Sequence, residues 1–220
     1  IEAGKMQITL EDTSPTDIAC GVIECLRGQA RSKSLKLTDI WPDEIPITVN
    51  TDRARVAQLL FNLIGNALKF TEEGEVQLFN RFEVRNERCL WRMVVRDTGI
   101  GIPKDKLASI FSPFEQADSS VARTHGGTGL GLTICNWITQ NLGGDLAVDS
   151  QVGTGSTFVA TLDVGAAKQI TWTRHNQRLK EYSNESECCS ETQLDGVRVL
   201  LVEDGDTNRQ VFDIMLRRCG

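Results

Sequence analysis

No stretch of this sequence approaches the roughly 18 to 20 apolar residues that a bilayer-spanning helix needs, and the N-terminus lacks the basic-then-apolar order of a secretory signal. Blocks of about five or more Lys and Arg are missing as well. With a net charge of −6 and a pI near 5.1, that absence argues against non-specific nucleic-acid binding, which needs clustered cations to displace counterions from phosphates. Cysteine is present, but an odd count of 7 with no C-x-x-C spacing supplies neither a disulfide framework nor a zinc site. A reducing, cytoplasmic setting is expected, which leaves room for a membrane-anchored parent protein. What remains is ordinary: 40% hydrophobic and 25% charged residues in a chain of 220 suffice for one good-sized domain and a fragment.

Residues 1–12 are mixed in character and read as the tail of an upstream region. Ser14 and Pro15 give a cap-and-proline helix start, and Ile18, Val22, Cys25 and Leu26 recur at helical spacing to about Lys33. A short strand follows around Leu35 and Leu37, Pro42 and Pro46 punctuate a loop, and residues 47–49 read as a second short strand. Asp52 then caps a long helix to about Phe70, with Val56, Leu59, Leu60, Leu63, Ile64, Ala67 and Leu68 as its apolar stripe. Beyond Gly74 comes a strand, a hairpin turn at 85–88 and a returning strand with Cys89, Trp91, Met93 and Val95 on one face, which Asp97 shares. The Gly-, Ser-, Asp- and Thr-rich stretch between Asp97 and Gly131 exceeds a compact domain's usual connection and reads as a lid or a disordered loop. A helix from Leu130 to about Leu142 stops at Gly143 and Gly144, and strands at 146–148 and 157–164 flank a glycine hairpin at 153–155. Residues 13–165 thus read as one domain and 166–195 as a linker. Residues 196–220 start a second domain, whose apolar run at 197–202 is typical of a buried parallel strand.

Asn62, Asn66 and Lys69 sit at i, i+4 and i+7 on the long helix, so two amides and an ammonium share one stripe. Amide oxygens are hard donors suited to Mg²⁺, and lysine supplies charge to phosphate; taken alone, the triplet serves equally as a solvated helix edge. Asp97 is the sharper case. An inward carboxylate needs a partner, no basic residue is placed to pair with it, and residues 98–103 form a tight turn over which a flat ligand can approach the backbone. An adenine amino group would satisfy that carboxylate; capping of its own turn is the alternative. Gly126, Gly127, Thr128, Gly129, Leu130, Gly131 and Leu132 run closely spaced glycines into a helix N-terminus, where amides bind phosphate. Neither the Lys-Ser/Thr pair of a P-loop nor the dinucleotide G-x-G-x-x-G spacing is present.

In this order the elements resemble the histidine kinase catalytic domain of the GHKL ATPase superfamily. Residues 58–71 look like its N box and 97–102 like its first glycine box. Residues 111–116 resemble its F box, 127–132 its second glycine box and 153–158 its last glycine element. The resemblance implies a two-layer α/β sandwich, the Bergerat fold, with a mixed sheet of about five strands, about three helices on one face and a mobile ATP lid over residues 105–128. It implies ATP and Mg²⁺ as ligands. Asn66 would ligate the metal with Asn62 nearby, Lys69 would contact a phosphate, and Asp97 would read the adenine amine. Gly99 and Gly101 would permit the turn, Ile102 would pack against the base, and Thr157 would help the carboxylate through a water or directly. Phe111 and Phe114 would anchor the lid and Arg123 would face the terminal phosphate. Gly127, Gly129 and Leu130 would donate amides, with Thr128, Gly131 and Leu132 completing the phosphate cradle. Asn66, Lys69 and Arg123 are the residues the resemblance assigns to phosphoryl transfer.

Kinases of this family phosphorylate a histidine on a helical dimerisation domain that precedes the catalytic domain. Here the only histidines are His125, in the lid, and His175, in the linker. The acceptor is therefore expected on a dimerisation domain of the parent, homodimeric through those helices, of which residues 1–12 resemble the tail. Residues 199–204 resemble the first strand of a receiver domain, where the adjacent acids Glu203 and Asp204 would collect Mg²⁺; a strand ending in solvated acids is the alternative. The resemblance implies a hybrid sensor kinase in a phosphorelay, with a receiver start that stops short of its phospho-accepting Asp. Two rivals stand beside it. One is a GHKL ATPase that drives conformational change, against which residues 111–116 and the receiver-like tail count. The other is a nucleotide-sensing module without transfer activity, against which Asn66, Asp97 and the glycine boxes count.

Overall fold

The structure is a computed structural model and describes residues 7–112 and 130–175. In chain order the elements are β1 (Glu11–Thr13), α1 (Pro15–Ser32), β2 (Lys36–Ile40), β3 (Glu44–Pro46), β4 (Val49–Thr51), α2 (Arg53–Phe70), β5 (Glu75–Arg85) and β6 (Arg88–Asp97). Then come α3 (Gly131–Asn141), β7 (Asp145–Gln151), β8 (Gly155–Ala166), a 3₁₀ turn (Ala167–Gln169) and β9 (Trp172–Arg174). The helix starts follow local chemistry. Ser14 accepts from the Asp17 amide with Pro15 behind it, and Asp52 Oδ1 accepts from the Arg55 amide at 2.9 Å.

The main sheet has five strands in the order β2-β5-β6-β8-β7, with β2 parallel to β5 and every other neighbour antiparallel. Period-two alternation decides which side is covered. Cys89, Trp91, Met93 and Val95 of β6 are fully buried beside Val76 and Leu78 of β5 and Ala160 and Leu162 of β8. The three helices close this face with a single core that includes Ile18, Ile23 and Leu26 of α1 and Cys135 and Ile138 of α3. From α2, Leu59, Leu60, Leu63, Ile64 and Leu68 are each at most 1% exposed, and burial of each stabilises the fold by about 1.5–3 kcal/mol. The two-layer mixed α/β architecture expected from the sequence is the one found. The β5–β6 turn is also as read: Asn86 and Glu87 both take positive φ, of 48° and 62°, the arrangement that matches strand twist in a tight hairpin.

Two expectations are corrected. The short strand read at 47–49 is split into β3 and β4, because each piece pairs with a remote segment: β4 with β1, and β3 with β9. The linker read from residue 166 starts later, since the compact unit runs through His175. Its residues 167–175 are held by a strand ladder and ring contacts. Trp172 lies opposite Pro46 in the β3–β9 ladder and meets the Phe82 ring edge-on at 6.1 Å, while His175 stacks on Trp41 at 5.8 Å. Residues 1–6 and 176–220, the latter including the remaining linker, Glu203, Asp204 and the receiver-like start, lie outside the described residues. Among the described residues no helix is long and apolar enough to cross a membrane.

Candidate functional site

Asp97 ends β6, and strand alternation turns its carboxylate inward, where it is 6% exposed. Oδ1 accepts two backbone amides, from Gly99 at 2.8 Å and Ser156 at 3.1 Å. The self-capping alternative is thus realised on one oxygen, and these bonds leave Oδ2 uncommitted. Burial pushes the carboxyl above its usual range, and the two amide bonds pull it partly back.

The turn after Asp97 is held by close backbone approach. A Cβ at Gly99 would lie 2.4 Å from the Phe70 carbonyl oxygen, and Gly101 combines a φ of 72° with a Cβ position 2.1 Å from the Gln151 oxygen. Ile100 donates its amide to Phe70 O at 3.2 Å and accepts from Gly153 N at 2.8 Å. Ser150 Oγ accepts the Ile102 amide at 2.8 Å and lies 3.0 Å from both Gly155 O and Ser156 Oγ. The end of α2, the 97–102 turn and the β7–β8 hairpin are thereby laced together around one carboxylate.

Here one residue assignment is corrected. Register pairs Phe158 with Val95 and Thr157 with Arg96, so Thr157 shares the outer face with Arg96 and makes no direct hydrogen bond to Asp97. Ser156, 7% exposed, takes that place. The signal was available: Phe158 is the apolar, inward position, which puts residue 156, two back along the strand, on the same face. Ser150, the Phe70 carbonyl and Cys135 were also missed. The first two act through geometry that local spacing does not disclose.

On α2, Asn62, Asn66 and Lys69 are all half-buried. The Cys135 thiol of α3, which burial pushes up to about 12, donates to Leu59 O of α2 at 3.8 Å, and the Asn62 carboxamide lies beside the first residue of α3, with a Cβ on Gly131 reaching 3.7 Å from Asn62 Oδ1. Asn62 therefore sits against the start of α3, and Cys135 bonds α3 to α2. Lys69 Nζ sits 4.9 Å from the Phe70 ring centroid, and burial lowers its pKa, an effect that an anion nearby would oppose. The α3 N-terminus begins at Leu130 with no side-chain cap on its first-turn amides. Thr133 Oγ1 donates to Phe111 O at 3.1 Å, and Phe111, Ile102 and Leu132 pack against the core. The structure thus groups Asp97, Gly99, Gly101 and Ile102 with the end of α2, and Asn62 with Gly131. Phe114, Arg123, Gly127, Thr128 and Gly129 lie outside the described residues.

Residues 51–166 match the family described as histidine kinase-, DNA gyrase B-, and HSP90-like ATPase. The chain is 36% identical over 213 residues to the autoinducer 2 sensor kinase/phosphatase LuxQ of Vibrio vulnificus, across 94% of this chain and 24% of that protein. It is 32% identical over 221 residues to the sensor protein GacS of Pseudomonas syringae pv. syringae, across 100% of this chain and 23% of that protein. The chain therefore spans about a quarter of the length of these curated relatives. The nucleotide-free catalytic domain of the histidine kinase ThkA has a TM-score of 0.57 and 25% identity, covering 72% of this chain and 97% of that one. A buried carboxylate at a glycine-fixed turn, on a five-stranded mixed sheet with helices on one face, is accordingly the ATP-binding catalytic domain found in sensor histidine kinases, and the chain belongs to the histidine kinase-, DNA gyrase B- and HSP90-like ATPase family.

Proposed function

We propose that this chain is the phosphoryl-donor domain of a hybrid sensor histidine kinase, which binds ATP with Mg²⁺ and passes the terminal phosphoryl group to a histidine on a dimerisation domain of its parent protein. Asp97 is the observation that carries the reading. Its Oδ1 is held by two amides, and its uncommitted Oδ2 suits an amino-group donor such as the adenine amine. Among the described residues no group of three or more His, Cys, Asp and Glu could hold a metal ion. The Asn66 amide oxygen suits Mg²⁺ as its protein ligand, because that ion keeps waters and takes its other oxygens from phosphates. When bound, Mg²⁺ supplies charge neutralisation at the phosphates. Lys69 adds its ammonium, and the uncapped α3 N-terminus offers amides with the glycine loop before it.

In the reaction an imidazole nitrogen of the acceptor attacks the γ-phosphorus, the bond to the bridging oxygen breaks, and ADP leaves with the electron pair. The imidazole gives up its N–H proton to solvent. This domain's share is orientation and charge stabilisation, with Arg123 supplying a further cation. The parent is homodimeric through its acceptor helices, and a receiver, whose start residues 199–204 resemble, takes the phosphoryl next.

Saturating ATP with Mg²⁺ at about 100 times Kd should stabilise the wild type by about 2.7 kcal/mol, read as a rise in Tm. Asp97→Asn should abolish that rise, and with the upstream helices supplied it should stop labelling of their histidine from γ-labelled ATP. Without nucleotide the sign differs. The native carboxyl holds its proton to higher pH than the unfolded one, so its contribution is present below the ordinary value of 3.8 and lost as pH rises through the folded value. At neutral pH the empty Asn variant should therefore be at least as stable as wild type. An ATP-dependent rise that survives Asp97→Asn would overturn the adenine assignment.

A further inference from the structure

We propose that Lys33 is a positioning residue for the nucleotide site, tying the end of α1 to the adenine-side turn through the C-terminus of α2. The inference rests on the reading of Asp97 and its turn as the adenine site.

A helix leaves its last carbonyls without partners inside the helix, and a buried end must find them elsewhere. In α2 the accounting closes. Ala67 O accepts from Thr71 N at 3.1 Å and Thr71 Oγ1 at 2.7 Å. Leu68 O and Lys69 O both accept from Lys33 Nζ, at 2.8 and 2.9 Å, and the same ammonium reaches Thr71 O at 3.3 Å. Phe70 O accepts from Ile100 N at 3.2 Å. Three donor protons on one ammonium thus meet three carbonyls at the negative end of the helix dipole.

Lys33 belongs to neither α2 nor the turn. It is the C-cap of α1, and its own amide donates to Ala30 O at 3.2 Å. The place where α2 ends is therefore set from α1. That end carries Lys69 and the Phe70 carbonyl, against which Gly99 is packed so closely that a Cβ would come to 2.4 Å. A shift of the carbonyl moves the Ile100 amide and the Gly99 backbone, and with them the Gly99 N to Asp97 Oδ1 bond of 2.8 Å. Lys33 touches no nucleotide; it acts by fixing the residues that do. Coupling is reciprocal, so adenine binding should in turn hold the end of α1.

Isothermal titration of the 220-residue chain with MgATP tests this. Lys33→Met should weaken binding about tenfold, and without nucleotide it should move the Gly99 and Ile100 amide resonances. Lys33→Arg, which keeps charge and donors in a planar fork, should return affinity to within about threefold of wild type. Val22→Ala, which loosens α1 in the core, should lower Tm without changing affinity. If Lys33→Met does not fold, Lys33→Gln, which also removes the charge, takes its place with the same expectations. Wild-type affinity in the Met or Gln variant, with MgATP still bound by the wild type, would overturn the role of Lys33 alone. A wild type that binds no MgATP would overturn the site reading and this inference with it.

Discussion

Strand β6 carries two contrasting regions on its inward face. Toward one end, Trp91 is fully buried, stacked at 5.7 Å on Phe82, with Trp41 at 6.4 Å from both rings and Trp172 and His175 closing the cluster from β9 and just beyond. At the other end, Asp97 lies among serines, glycines and backbone amides. The first region is sealed by the chain's own later segment and gains from apolar area. The second is held by directional bonds and close backbone contacts, and it keeps a carboxylate oxygen available. On the proposed reading of Asp97, stability and ligand recognition are separated along a single strand, and substitutions at the two ends should separate them too.

The largest effect is expected at the aromatic end. Trp91→Ala should cost about 3–5 kcal/mol in urea unfolding, the range for deleting a buried aromatic. The loss includes the bond from Trp91 Nε1 to the buried Asn80 Oδ1 at 3.1 Å; Asn80 Nδ2 is already without a partner, so the variant leaves a buried amide with neither bond. MgATP affinity per folded molecule should stay near wild type. A loss below about 1 kcal/mol, or a large loss of affinity in a folded variant, would break the separation of the two ends.

How far each end was legible in the sequence follows from the same contrast. The inward set Cys89, Trp91, Met93, Val95 and Asp97 was readable because strand alternation is local, and the span of α2 was readable from Asp52 and its apolar stripe. The glycine turn was readable because Gly99 and Gly101 have no other reason to cluster beside a buried acid. What closes each end was not. β9 pairs with β3 across more than a hundred residues, and no periodicity in a three-residue strand announces that partner. Lys33 looks like an ordinary exposed lysine at a helix end, and its role exists only once α1 and α2 lie side by side. Thr157 was taken for the carboxylate's helper because the resemblance carries that role to the head of β8; the pleat puts Ser156 beside Asp97.

A smaller stability loss with a larger functional one is expected at the polar end. Gly101→Ala would force a side chain onto a φ of 72° and bring its Cβ within 2.1 Å of Gln151 O. The strain should cost about 1–3 kcal/mol, less than Trp91→Ala, because the hairpin carrying Gln151 has room to yield at its exposed tip, where Val152 is 63% exposed. The same yielding pulls Ser150 from the Ile102 amide, so MgATP affinity should fall more than tenfold, about 1.4 kcal/mol. Near-wild-type affinity would show that the turn adapts, and would weaken the claim that geometry rather than apolar area builds this end.

The smallest effect returns to the aromatic end and is a dependence on pH. The His175 ring stacks on Trp41, its Nδ1 is buried without a partner, and its amide donates to Asp43 O at 2.9 Å. Burial pushes its pKa down, while the Asp39 carboxylate, which also accepts from Trp41 Nε1 at 3.0 Å, pushes it partly back up. Between the depressed native value and the ordinary 6.5 the unfolded chain binds more protons than the folded one. The stability from neutral His175 is therefore present above the ordinary value and lost as pH falls toward the native one. His175→Phe keeps a ring against Trp41 and removes the titration. The Tm difference between wild type and this variant, followed from about pH 8 to pH 5, should shift against the wild type on the acid side. A flat difference would mean that β9 is held by Trp172 and the β3 ladder alone, so that even the weakest member of the aromatic end answers to packing and not to charge.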